Sequence, residues 1–487
     1  MHDSLQKAFD AETFRAMGHR IVEQLADYLT AAQTRGPMPV LPQCLPDAMI
    51  EQWRARFPQQ PAANAAESLA NLLQQVITQS NHLHHPHYVG HQVSAPLPQA
   101  ALTEFAAALL NNGMAVYEMG PAATAMERSL VQWMGGQLGF DAATCDGVLT
   151  SGGSLGNLTA LLAARHERAG FDVWTEGNAA GPPLAVLGNR AAHYSVQRAV
   201  QIMGWGKAAL EPVAVDERLC LRPEGLPQSL DAARAKGRRV IGVVANSCCT
   251  ATGCFDPLPA VAEFCRRHAL WLHVDGAHGA AACLSPRYRH LVSGIEQADS
   301  VVWDTHKMLL MPALATAVIF KDGTVSHRVF QQQASYLYSG ATPQEQWFNI
   351  GLRTVECTKH MMSLQLYAAL TVYGTQMFSD YVTAAFDLGG RFADLVAQQP
   401  DFELPLRPDG NIVCFRYRPL SRSLDGPALD QLQAGIRQRV VDSGAFYLVQ
   451  TQLPGGLYLR VTLINAATTE RDLIDLLGAV REAGKDA

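Results

Sequence analysis

The feature that most constrains this chain is a rhythm of short apolar runs alternating with helical stretches, from about residue 97 to residue 320. GVLT (147–150), PLAVLGN (183–189), RRVIGVVAN (238–246), LWLHVD (270–275) and SVVW (300–303) are rich in Val, Leu and Ile and end at polar or glycine residues. Runs that are apolar on both faces belong to strands buried on both faces. With a helix between most of them, the pattern predicts an α/β domain with a mostly parallel sheet covered on both sides. Helices are expected at 98–112, with Gly113 as C-cap, and at 121–138, with Pro121 in the first turn.

The flanks read differently. Apolar positions from Leu5 to Leu29 recur at near-helical spacing and predict one amphipathic helix over 1–30. The proline-rich stretch 35–46 is an extended arm, and a second helix is expected at about 67–79. These segments have apolar stripes but no core of their own, so they pack on another domain or subunit. The tail reads strand (411–418), helix (427–442), two strands within 446–463 and a last helix capped by Thr468 or Thr469. The expected organisation is an N-terminal helical dimerisation arm (1–95), a large α/β domain (96–345) and a small C-terminal α+β domain (346–487).

Composition excludes several function classes. A net charge of -6 and the absence of a polybasic run argue against nucleic acid as a partner. No apolar stretch has membrane-spanning length, and the N-terminus lacks the basic-then-apolar layout of a signal peptide. The ten cysteines lack Cys-x-x-Cys spacing and read as reduced thiols of a cytoplasmic protein. His82, His84, His85, His87 and His91 cluster around Pro86 with no acidic or cysteine partner nearby, so a pocket-lining loop is expected there and no metal.

Chemistry concentrates at strand ends. VVWDTHKM places Lys307 at a polar seam between two buried runs, where a lysine either reaches water or loses its charge, as in a Schiff base with a carbonyl. In LHVDGAHGA, 32 residues upstream, a strand delivers Asp275, the carboxylate that pyridoxal phosphate needs opposite its ring nitrogen. SGGS (151–154) lies between a strand and a helix, where glycines and free N–H groups suit a phosphate, although Ser154 equally fits a helix N-cap. His193 and Thr250 each follow a strand; one suits a ring-stacking histidine or a backbone-bonded one, the other a ring-facing hydroxyl or a loop bond. Ligands bind at such strand ends in open α/β sheets.

Through HPHYVGHQ, GVLTSGGSLGNLTALLAAR, HYSVQRA, LHVDGAHGA, WDTHKM and ASYLYSG, the chain resembles the pyridoxal-phosphate-dependent group II amino acid decarboxylases over nearly its whole length. The resemblance implies the fold-type I transferase-like architecture, pyridoxal 5'-phosphate as cofactor and a homodimer with a shared active site. It implies that Lys307 holds the cofactor, Asp275 pairs with the ring nitrogen and His193 stacks on the ring. Thr250 is then near the ring hydroxyl, Gly153, Ser154 and His306 are close to the phosphate, and Ala277 is among the cofactor-binding residues. Tyr336 falls at a mobile-loop tyrosine acting on the substrate carbon, which predicts a lid over 328–340. Arg460 matches an arginine that faces a substrate carboxylate. Asp304-Thr305-His306-Lys307 departs from the usual Asn-Pro-His-Lys by placing an acid near the phosphate.

The activity implied is decarboxylation of an L-amino acid. Gln92 and the WDTHKM form resemble the glutamate, cysteine sulfinate and diaminobutyrate branch, which points to a small polar or acidic substrate. Alternatives are an aromatic amino acid decarboxylase, another lyase or aminotransferase on this fold, and a catalytically silent cofactor-binding protein.

Overall fold

The computed structural model describes residues 2–54, 57–330 and 347–485, which group into two units. The larger unit comprises Gln92–Ala393 and Leu406–Cys414. Its seven-stranded sheet is built from β1 (Asp146–Thr150), β2 (Leu184–Asn189), β3 (Leu210–Val213), β4 (Arg239–Asn246), β5 (Trp271–Asp275), β6 (Ser300–Asp304) and β7 (Thr316–Phe320). The order is β1-β7-β6-β5-β4-β2-β3. Strands β3, β2, β4, β5 and β6 pair in parallel, whereas β7 runs antiparallel to both neighbours. The segment 305–315 between β6 and β7 carries no helix and is too short for a parallel crossover, so the chain must turn back.

Every residue of β1, β2, β5, β6 and β7 is buried, as their doubly apolar sequences require. Leu158 and Leu161 of the helix Gly153–Arg168 join Val244, Val302 and Val318 of the sheet in one core. The edge strand β3 has no counterpart in the sequence reading: LEPV is short, holds a proline and alternates in burial, as an edge tolerates. The helix expected at 98–112 ends at Leu110, and its cap is Asn111 in the left-handed region (φ 48°) instead of Gly113. Two buried cations brace β1. Lys359 bonds Glu127 and, at 2.6 Å, the Leu149 carbonyl, while Arg353 pairs with Asp146 at 3.1 Å.

The smaller unit comprises Met1–His91, Asp394–Pro405 and Phe415–Ala487. The single helix expected over 1–30 is two, Asp3–Ala8 and Ala11–Gln33, because the Asp10 carboxylate accepts the Thr13 N–H at 2.7 Å and starts a new helix. A short helix, Pro46–Gln52, follows the proline-rich arm. Helix Ala65–Gln79 lies against Ala11–Gln33, with Gln24 donating to the Ala70 carbonyl at 3.1 Å. A four-stranded sheet has the order β10-β11-β9-β8, from β8 (Phe402–Glu403), β9 (Ile412–Tyr417), β10 (Val449–Leu453) and β11 (Gly456–Thr462). Thr469 and Asp472 cap the last helix reciprocally: the Thr469 N–H bonds Asp472 Oδ2 at 2.7 Å, and the Asp472 N–H bonds Thr469 Oγ1 at 3.4 Å. His87 stacks on Phe446 at 4.0 Å and bonds the Ala445 carbonyl at 2.9 Å, so it packs. Among the described residues no group of three side chains is arranged to hold a metal.

Candidate active site

The C-terminal ends of the parallel strands in the larger unit converge on a cavity of about 160 Å³. Asp275 ends β5 and Asp304 ends β6, with Lys307 three residues on. His193 follows β2, and Thr250 lies in the turn after β4. Gly153 and Ser154 open the helix after β1. All of these, with Gln92, Ala277 and His306, line the cavity. The sequence thus marked ten of its residues, Asp304 among them as a departure from the family pattern. Arg460 belongs to β11 of the smaller unit, and Tyr336 lies outside the described residues.

The phosphate-type loop has the features an anion needs. Gly152 is the helix N-cap with φ 114°, a conformation that favours glycine, and no side chain caps the helix. Its first N–H groups are therefore not taken by a capping side chain. The N-cap role open to Ser154 falls to Gly152. A Cβ on Gly153 would come 3.1 Å from Asp304 Oδ1, so this position admits no larger residue without displacement.

Asp304 is 2 % exposed and accepts the Thr316 hydroxyl at 2.6 Å; Oδ2 lies 2.9 Å from Lys307 Nζ and 3.6 Å from His306 Nε2. Burial alone would push this carboxyl up, but the Lys307 ammonium beside it outweighs that and, with the Thr316 hydrogen bond, holds Asp304 below its ordinary range. Burial likewise works against the Lys307 ammonium, and Asp304 overcomes it, so Lys307 titrates above its ordinary value. His306 donates its Nδ1–H to the Ala315 carbonyl at 2.8 Å. His193 is half-buried at the start of helix Tyr194–Ile202, and burial lowers its pKa.

The donor set fits pyridoxal phosphate. A carboxylate, an amine and a glycine-rich helix start face one cavity, and the buried Asn246 amide nitrogen beside them has no hydrogen-bond partner among the described residues. Sequence reading missed Asn246, Asn157, Cys248 and His278, which also line the cavity. Their only signal is position at or just after strand ends or in the first turns of the helix after β1.

The pyridoxal-dependent decarboxylase conserved domain matches residues 46–418. The chain belongs to the pyridoxal-dependent decarboxylase family. Human cysteine sulfinic acid decarboxylase is 31% identical over 414 residues, covering 82% of this chain and 83% of that protein. The aromatic-L-amino-acid decarboxylase of Bacillus atrophaeus is 25% identical over 486 residues, 100% of this chain and 98% of that one. The crystal structure of mouse CSAD superposes with a TM-score of 0.91 at 27% identity, over 98% of this chain and 100% of that one. Membership makes this family member a pyridoxal-phosphate-dependent amino acid decarboxylase, and its α/β sheet has the fold-type I architecture of the family's solved structures.

Proposed function

We propose that the substrate is a small acidic or polar L-amino acid of the cysteine sulfinate or glutamate kind, and that the residues lining the cavity hold the cofactor. The observation that supports the assignment is the convergence of Lys307, Asp275 and His193 on one cavity. In this reading Lys307 anchors the cofactor, Gly153, Ser154 and His306 hold its phosphate, and Asp275 keeps its ring nitrogen protonated. His193 covers the ring face, Ala277 is part of the cofactor-binding lining, and Thr250 and Asn246 bond a ring substituent. Bound pyridoxal phosphate supplies a ring that accepts the electron pair released as the Cα–carboxylate bond breaks. The protein's work is to hold that bond perpendicular to the ring, exclude water and return a proton to Cα, a task assigned to Tyr336. Gln92 and Arg460 are assigned to the substrate, Arg460 on the family resemblance alone.

Support for an acidic substrate is the higher identity to human cysteine sulfinic acid decarboxylase (31%) than to the aromatic enzyme (25%). An aromatic substrate is the second reading, favoured by that enzyme's match over 100% of the chain. A panel of L-amino acids scored for released CO2 decides. Turnover of cysteine sulfinate, aspartate or glutamate above tyrosine and tryptophan is expected; the reverse order overturns the reading.

The proposal extends to a cytoplasmic homodimer with a shared site, in which residues 1–95 form a dimerisation arm, 96–345 the cofactor-binding domain and 346–487 the small domain. All ten cysteines are free thiols, as a reducing compartment maintains. Phe9 (83 % exposed) and Leu45 (77 %) leave apolar surface on the arm for a second copy to cover. Sedimentation of the holoenzyme as a monomer would remove the dimer.

A further inference from the structure

His193 and Asp275 reach the cavity from different strands, and a buried chain of hydrogen bonds joins them. Asn157 donates its amide to Asp275 Oδ2 at 3.0 Å and to Ser195 Oγ at 2.8 Å. Its Oδ1 lies 2.8 Å from His273 Nε2. His273 Nδ1 is 2.9 Å from Ser300 Oγ, which accepts the Trp271 indole N–H at 2.9 Å. Ser195 Oγ is 2.8 Å from His193 Nδ1, and the same nitrogen faces the Ser195 N–H at 3.3 Å. Asn157 and Ser195 are each 1 % exposed, and His273 and Ser300 are fully buried, so these groups satisfy one another.

The direction of every bond follows from the two groups that cannot reverse. The Asp275 carboxylate oxygen accepts from Asn157, so Asn157 turns its nitrogen toward it and its oxygen toward His273. His273 must then carry its proton on Nε2. Burial keeps this ring neutral, with its pKa lowered to about 4, so Nδ1 is bare and takes the Ser300 hydroxyl proton. Trp271, which only donates, fits the lone pair left on Ser300. On the other branch Ser195 Oγ accepts the second Asn157 N–H and gives its own proton to His193 Nδ1. With Nδ1 accepting, the one proton of neutral His193 is on Nε2.

We propose that Asn157 and Ser195 are positioning residues through which Asp275 sets the tautomer of His193: they hold the carboxylate in place and fix His193 as an Nε2–H donor. Nδ1 is engaged by Ser195, so only this donor is left for what His193 meets in the cavity. The inference rests on the reading that Asp275 and His193 serve the cofactor, and adds what sets their proton positions.

The test uses the holoenzyme labelled with 15N-histidine, with the His193 signals assigned by their loss in His193→Gln. The expected spectrum shows a bare Nδ1 and a protonated Nε2. Ser195→Ala, which removes one oxygen, should give mixed tautomers and lower kcat about tenfold or more with KM changed less than about threefold; Ser195→Thr should restore both. Asn157→Asp, which sets a second carboxylate against Asp275, should do the same with cofactor retained; if it fails to fold, Ser195→Ala decides. A proton on Nδ1 in the wild type, or Ser195→Ala with an unchanged tautomer or with kcat within twofold of wild type, overturns the proposal. Near-normal turnover of Asp275→Ala would instead strike the cofactor reading while leaving the wild-type tautomer a separate result.

Discussion

Lys307 Nζ lies 2.9 Å from Asp304 Oδ2, in a pair whose carboxylate is 2 % exposed and whose other oxygen takes the Thr316 hydroxyl. The pair keeps Lys307 protonated, and an ammonium is no nucleophile. To bond a carbonyl, Lys307 must first give up its proton, and Asp304 opposes that loss. The resemblance marked position 304 as a departure near the phosphate; in the structure its acid is committed to the lysine.

Asp304→Asn should therefore lower the pKa of Lys307 and raise the neutral fraction at pH 7, about tenfold for every pH unit by which that pKa falls. Apoenzyme should take up pyridoxal phosphate faster, and the pH profile of uptake should move to lower pH. Stopped-flow absorbance measures both. A slower uptake, or an unmoved profile, would show that Asp304 assists attachment.

Asn246 carries a buried amide nitrogen without a partner among the described residues. A donor left so costs stability until a ligand accepts from it. Asn246→Ala should weaken cofactor binding by about 1–3 kcal/mol. The apoprotein should not melt lower, since no bond from that nitrogen is lost. Titration of the apoenzyme checks the first and calorimetry the second; unchanged affinity would remove Asn246 from the site.

Asp275→Ala should retain cofactor through Lys307 and the glycine-rich loop yet lose about 100-fold or more in turnover, the scale of one strong electrostatic contribution. Absorbance of the bound cofactor and CO2 release are measured on the same sample. Full occupancy with near-normal turnover would reduce the carboxylate to a structural role.

Three histidines give the fold a defined acid sensitivity. Burial lowers His85, His273 and His327 to about 4 each, so the folded state holds them neutral where the unfolded chain, near 6.5, is protonated. Their stabilisation is complete above about pH 6.5 and is lost as pH falls toward 4. Urea midpoints should drop steadily between pH 7 and pH 5. A flat midpoint over that range would mean that these rings are protonated in the fold.

The sequence shows the site where chemistry coincides with strand punctuation. Asp275 and Lys307 interrupt apolar runs, and Gly153 and Ser154 stand in a strand-to-helix turn, so each is conspicuous. Asn157 is not, because an asparagine within a helix has many roles and its partner Asp275 is 118 residues away. Asn246 closes a strand like any polar residue. The order of the sheet is likewise tertiary. β7 looks like another buried strand, and only the short return from β6 makes it antiparallel. Asp10 splits the first helix by one capping bond that periodicity alone does not reveal.

In the proposed reading Lys307 carries pyridoxal phosphate in a decarboxylase. The most direct test is borohydride reduction of the holoenzyme followed by mass spectrometry of the digest. One pyridoxyl adduct per chain is expected, on Lys307, and none in Lys307→Ala. An adduct on any other lysine, or an active enzyme with no adduct, would contradict it.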